Sequence, residues 1–127
     1  MYLKIDFDSE VPIYTQLRNQ IVAGIASGEL KDGDELPSVR QMASDIGINL
    51  HTVNKAYNVL KQEGFIRLDR RTGAAVSVSI EDKDKLKEKV ENELEVVLTE
   101  AICKDISEDE IKNMVQSIYD KYRGGNL

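Results

Sequence analysis

The sequence predicts a mainly α protein with one small β-hairpin, and three observations carry that prediction. Apolar residues recur at helical spacing in five separate stretches between Ile13 and Tyr122. Two short strand-like runs, Phe65–Leu68 and Ala75–Ile80, stand between the third and fourth of these, with a polar turn dividing them. Helix punctuation falls where the periodicity starts and stops: Ser38 and Asn49 as N-caps, Gly28, Gly47 and Gly64 as stops.

Taken in order, residues 1–10 alternate Leu3, Ile5 and Phe7 with Lys4, Asp6 and Asp8, as a short extended lead does. Pro12 suits the first turn of a helix, where its missing N–H is not needed. Ile13, Leu17, Ile21 and Ile25, with Tyr14 beside them, give that helix an apolar face over about 12–27. Lys31-Asp32-Gly33-Asp34 is a turn. Ser38 followed by Gln41 matches a capping box, and Val39, Met42, Ala43 and Ile46 form one face of a short helix ending at Gly47. Asn49 opens the next helix, which runs to about Glu63. At about 100° per residue, Val53, Ala56, Tyr57 and Leu60 share its inner face, and His51, Lys55, Asn58 and Gln62 the outer one.

Two short helices joined by a glycine turn, the second with a polar outer face, predict a helix-turn-helix. Small Ala43 permits the close crossing of the pair. The following hairpin is its wing, with Arg70, Arg71, Thr72 and Gly73 at the tip. Beyond it, Leu86, Val90, Leu94, Val97, Leu98, Ala101 and Ile102 line a highly charged helix over about 83–104. Ser107-Glu108-Asp109-Glu110 caps a last helix, with Ile111, Met114, Val115, Ile118, Tyr119 and Tyr122 on one face. Two such helices cannot make a core alone. Each stripe needs the winged domain or a second copy of the chain, and the second copy is the preferred reading. Tyr119 and Tyr122 then belong to an interface rather than a small-molecule pocket, and Cys103 is expected to be a buried small residue. The expected organisation is a winged domain over 1–80 and a helical dimerisation tail over 81–127.

The 127-residue chain is 41% hydrophobic and 31% charged, an ordinary globular balance. No apolar run approaches the roughly 20 residues of a membrane helix, and the N-terminal stretch lacks the apolar core of a secretory signal. One cysteine forms neither an intrachain disulfide nor a thiolate zinc site, so a cytoplasmic protein without metal or cofactor is expected. His51, the single histidine, sits in a polar helical stretch with no carboxylate near it in sequence, and no glycine-rich phosphate loop is present. No enzymatic constellation emerges.

The net charge of −6 is unevenly spread. Residues 81–127 carry 8 basic and 13 acidic side chains, whereas 36–71 carry Arg40, Lys55, Lys61, Arg67, Arg70 and Arg71 against three acids. Positive charge gathered on one surface lets an acidic protein meet phosphates.

The run PIYTQLRNQIVAGIASGELKDGDELPSVRQMASDIGINLHTVNKAYNVLKQEGFI, residues 12–66, resembles the N-terminal winged helix-turn-helix of GntR-family bacterial transcription regulators. P-I-Y-x-Q-L, L-P-S-V-R and T-V-x-K-A-Y carry the resemblance, and the two-helix tail of about 47 residues is similar to the YtrA-type branch. The resemblance implies a homodimeric regulator, a repressor by preference, on a double-stranded, pseudo-palindromic DNA operator. It also implies DNA contacts at Arg40 and Ser38, at Asn49, His51 and Thr52, which start the recognition helix, and at Asn54 and Lys55. In the wing only Gly73 and Val76 of the family's G-x-G-T-F-V remain, and Arg71 stands in place of the first glycine. Arg70 and Arg71 are expected to supply charge there. The residues name no small-molecule effector. The alternative from another class is a winged-helix adaptor that binds protein and not DNA.

Overall fold

Local signals and the core they serve agree over most of the chain. The computed structural model describes residues 3–123, so the outermost residues of both expected segments, 1–2 and 124–127, lie outside it. The order of elements is α1 (Ile13–Ala26), β1 (Glu35–Leu36), α2 (Val39–Ile46), α3 (Leu50–Gln62), β2 (Ile66–Asp69), β3 (Gly73–Val76), α4 (Lys83–Cys103) and α5 (Glu108–Arg123). They fall into two compact units, one through Ser79 and one from Ile80 onward.

In the first unit α3 is the central element, with α1 packed along it and α2 crossing it. Leu17 and Ile21 of α1 meet Val53, Ala56, Tyr57 and Leu60 of α3, all fully buried. Met42 and Ala43 of α2, with Ile66, Ala74 and Val76 of the sheet, close the same core. The periodicity therefore assigned the inner faces correctly. Pro12 precedes α1 as its N-cap rather than lying within the first turn.

Three local features differ from expectation. The hairpin is a three-stranded sheet of order β1-β3-β2, because Glu35 and Leu36 pair with Ala75 and Ala74. A two-residue strand is too short to leave a period-2 signal. The second hairpin strand ends at Val76, not Ile80, although Ser77 and Ser79 still donate to the carbonyls of Phe65 (3.0 Å) and Gly64 (2.9 Å). The lead before α1 is not extended throughout, because it turns over residues 7–11. Its backbone is held by two glutamine amides: Gln20 and Gln16 accept from the N–H groups of Lys4 and Asp6, both at 2.8 Å. The same amides donate back to the carbonyls of Lys4 and Asp6.

In the second unit Asp82 caps α4 by accepting from the Lys85 N–H at 3.0 Å, and Ser107 caps α5 by accepting from the Glu110 N–H at 3.1 Å. The elbow between them closes through Ile106, whose N–H donates to the Ala101 carbonyl at 3.0 Å. Among the described residues of the two helices only Ala101 is buried. Cys103 is exposed, contrary to the expectation of a buried small residue, as is Ile102 beside it, because the apolar stripe of α4 is itself largely uncovered.

Two glycines in left-handed conformation differ in what surrounds them. Gly47 (φ 77°) ends α2 with open space where a Cβ would stand, whereas a Cβ on Gly64 (φ 83°) would come within 2.8 Å of the Ser79 hydroxyl. Gly47→Ala should therefore cost about 1–2 kcal/mol for its backbone alone. Gly64→Ala should cost more, about 2–4 kcal/mol, since the Ser79 hydroxyl and the backbone carbonyl beside it must shift as well. Urea denaturation of both variants measures the difference.

Candidate nucleic-acid interface

Ser38 starts α2, and its hydroxyl accepts from the Gln41 N–H at 3.0 Å. Only this half of the expected capping box is made, because the Gln41 amide runs forward to Asp45 at 2.6 Å. Ser38 itself remains exposed. Arg40, on the first turn of α2, is exposed, and among the described residues no hydrogen bond or ion pair occupies its guanidinium.

The turn to α3 is made by Gly47 and Ile48, both of whose N–H groups donate to the Ala43 carbonyl at 2.9 and 3.1 Å. Asn49 then caps α3, its side chain accepting from the His51 N–H at 2.7 Å. With Val53, Ala56, Tyr57 and Leu60 turned into the core, His51, Asn54, Lys55 and Asn58 are left on the outside, and Thr52 is half-buried. His51, Asn54, Lys55 and Asn58 thus share the exposed side of α3, and exposed Asn49 stands at its start.

Two interactions that no spacing rule could reveal set this surface. The Tyr57 hydroxyl donates to the Pro37 carbonyl at 2.7 Å, fixing the residue before Ser38 to the middle of α3. Burial pushes the Tyr57 phenol far above its ordinary range, so it remains a donor. The Lys55 ammonium lies 4.1 Å from the centre of the Tyr14 ring, a cation–π contact between α3 and α1. The sequence marked Lys55 as outward-facing but gave no sign of this partner, 41 residues away. Behind the interface Arg18 is ion-paired to Glu63 at 2.9 Å and stacked over Phe65 at 5.4 Å.

In the wing, β2 and β3 pair from Ile66 with Val76 to Asp69 with Gly73. That leaves Arg70, Arg71 and Thr72 as the tip, all exposed. The Asp69 carboxylate accepts from the Arg71 N–H at 2.7 Å, and Gly73 (φ 81°) takes the left-handed position. One glycine and an aspartate therefore close a tight tip without the glycine that Arg71 replaces. Arg67, which sequence reasoning counted but did not assign, is exposed on β2 opposite Ala75.

A short helix, a left-handed glycine, a second helix with a polar outer side and a basic hairpin define the class: winged helix-turn-helix, DNA-binding transcription regulators. The family model for bacterial regulatory proteins of the gntR family matches residues 13–76. The chain belongs to the GntR family, and within it to the YtrA-type branch. It is 43% identical over 75 residues to the HTH-type transcriptional repressor YtrA of Bacillus subtilis, covering 59% of this chain and 58% of that protein. YtrA from Sulfolobus acidocaldarius, a GntR-family transcription factor, is similar in structure with a TM-score of 0.66 and 42% identity over 81% of this chain and 99% of that one. A transcriptional antiterminator from Listeria monocytogenes EGD-e superimposes with a TM-score of 0.85 at 26% identity, covering 93% of this chain and 90% of that one. Among the described residues no helix is long and apolar enough to cross a membrane.

Removing the Tyr57 hydroxyl tests the link between core and surface. Tyr57→Phe leaves the Pro37 carbonyl without its donor and should cost about 1–3 kcal/mol. The folded state holds the phenol protonated, so its contribution is present below the ordinary value of 10.0 and is lost as pH rises beyond it. The stability gap between wild type and Tyr57→Phe should therefore be constant near neutrality and narrow above about pH 10. Denaturation curves at both pH values read it out.

Proposed function

We propose that the protein is a cytoplasmic repressor that binds a pseudo-palindromic, double-stranded operator as a homodimer, with 1–80 as DNA-binding domain and 81–127 as dimerisation tail. The observation that carries the reading is the exposed side of α3, where His51, Asn54 and Lys55 project from a helix whose opposite side is locked into the core, with exposed Asn49 capping its start. The major groove admits such a helix, and amide, imidazole and hydroxyl groups meet base edges there. Thr52 lies beside them, and Ser38 and the start of α2 are suited to phosphate.

Arg40 has the strongest role. Among the described residues its guanidinium is unoccupied, and from the exposed first turn of α2 it is suited to bidentate contact with guanine or phosphate. Lys55 contributes a point charge steered by Tyr14. Arg70 and Arg71 at the tip, with Gly73 shaping it, supply phosphate contacts with little base readout. Repression is supported by the name of the Bacillus subtilis relative, a transcriptional repressor.

Dimerisation rests on the open stripes of the tail. Leu86, Val90, Leu94 and Val97 are 47–59% exposed, and Met114, Val115, Ile118 and Tyr119 are 45–57% exposed. With half-buried Leu98, Ile111 and Tyr122 these residues make a surface too apolar to remain wet, whereas Ala101, expected in the same interface, is already buried within the tail itself. A second copy supplies the complementary surface and doubles the half-sites engaged.

A gel shift with the DNA upstream of the protein's own gene tests binding directly. On that operator Arg40→Ala should lose about 1–3 kcal/mol per half-site and melt like wild type, while Lys55→Ala should lose less. Near wild-type affinity for folded Arg40→Ala would remove the site assignment. In sedimentation, the full chain should run as a dimer and a chain ending at Ile80 as a monomer. Dimers of the shortened chain would defeat the role given to the tail.

A further inference from the structure

We propose that the α4 helices of two copies pair antiparallel, crossing at Val90, so that the lysine half of each lies along the glutamate half of the other. This inference rests on the homodimer reading above and specifies its geometry. Three observations carry it. The first is a charge-inverting palindrome: Lys89, Lys87 and Lys85 precede Val90 by one, three and five residues, and Glu91, Glu93 and Glu95 follow it at the same intervals. Leu86 and Leu94 stand four residues to either side. In an antiparallel pair centred on Val90, Leu86 falls level with the partner copy's Leu94 and each lysine level with a glutamate. A parallel pair would set lysines beside lysines and glutamates beside glutamates along the whole helix.

The second observation is that this charge order opposes the helix's own dipole. Aligned peptide groups favour acids at a helix N-terminus and bases at its C-terminus. α5 obeys, with Glu108, Asp109 and Glu110 in its first turn and Lys121 and Arg123 in its last. In α4, despite Asp84, lysines crowd the first two turns, Glu100 lies in the last turn, and no base is found there. An arrangement that costs stability in the isolated helix is offset by an antiparallel neighbour, whose charge blocks run the other way. The third is shape. Leu86, Val90 and Leu94 form the floor of a shallow groove of about 300 Å³ along α4, rimmed by Lys83, Lys87 and Glu91. A second α4 has the apolar residues for that floor and, in Glu93 and Lys89, the opposite charges for Lys87 and Glu91 on that rim.

Cysteine pairing in the full-length Cys103→Ser protein tests the orientation. Lys83 and Val97 lie seven residues either side of Val90, hence at one level in an antiparallel pair. Two copies of either residue alone would be separated by about 21 Å along the helices, far beyond the reach of a disulfide. Lys83→Cys mixed and exchanged with Val97→Cys should yield an oxidised heterodimer, and neither variant alone should cross-link. A Lys83→Cys homodimer disulfide would establish parallel pairing and overturn the proposal. A dimer by sedimentation with no mixed disulfide would overturn it while leaving the homodimer reading intact, and a monomer would overturn both. As a second measurement, Lys87→Glu/Lys89→Glu should raise the dimer dissociation constant about tenfold or more. Adding Glu91→Lys/Glu93→Lys should bring it back to within about threefold of wild type. Failure of the fourfold variant to recover would count against the pairing.

Discussion

A buried phenol must find a hydrogen-bond partner, and the one Tyr57 finds determines how the winged domain presents itself. Its ring is fully buried in the core that α1, α2, α3 and the sheet share, and its hydroxyl ends on the Pro37 carbonyl. That single bond ties the middle of α3 to the residue that leads into α2. Ser38 and Arg40 follow within three residues, so their distance from Asn49 and His51 is set by a contact on the far side of the helix. The outer surface is positioned by the inner one. Arg18, paired to Glu63 and lying over Phe65, does the equivalent work at the other end of α3, joining α1 to the point where the chain turns into the sheet.

Most of this domain was legible because burial and periodicity coincide there. Val53, Ala56, Tyr57 and Leu60 could be assigned to the core from spacing alone, and Asn49, Gly47 and Ser38 announced their helix ends by chemistry that acts within four residues. The misses have physical causes. β1 is two residues long and exists only because β3 offers it a partner, so nothing local encodes it. The reciprocal capping by Gln41 failed because Asp45, one turn on, offers its amide a charged acceptor. The Lys55–Tyr14 contact joins residues whose proximity is a product of the fold. Motif comparison located the exposed side of α3 but could not show that Lys55 is already steered by a ring.

The tail obeys different rules. A winged domain with a dozen buried side chains specifies itself, whereas α4 and α5 share one buried alanine and an elbow. Their amphipathic pattern was readable as helix, and Cys103 was misplaced because a stripe defined by spacing has blurred edges when no core is there to sharpen them. The same openness makes the charge order along α4 informative. In a helix packed on its own domain, surface charges record mainly solubility; in one that lacks a partner within the chain, they can record the partner.

The glutamine clamp on the N-terminal lead reverses the usual relation between core and periphery. Gln16 and Gln20 each accept from a backbone N–H and donate to a backbone carbonyl of the lead, so the lead is recognised through its main chain. A primary amide carries a donor and an acceptor on adjacent arms and so can do both at once along a main chain; a carboxylate could only accept and an ammonium only donate. Over the course of divergence, positions 4 and 6 are therefore free to exchange one side chain for another, while positions 16 and 20, on the surface of a helix where substitution is ordinarily cheap, are not. A change at either of the two amides would be felt first as a loosened N-terminus, with the helix itself undisturbed.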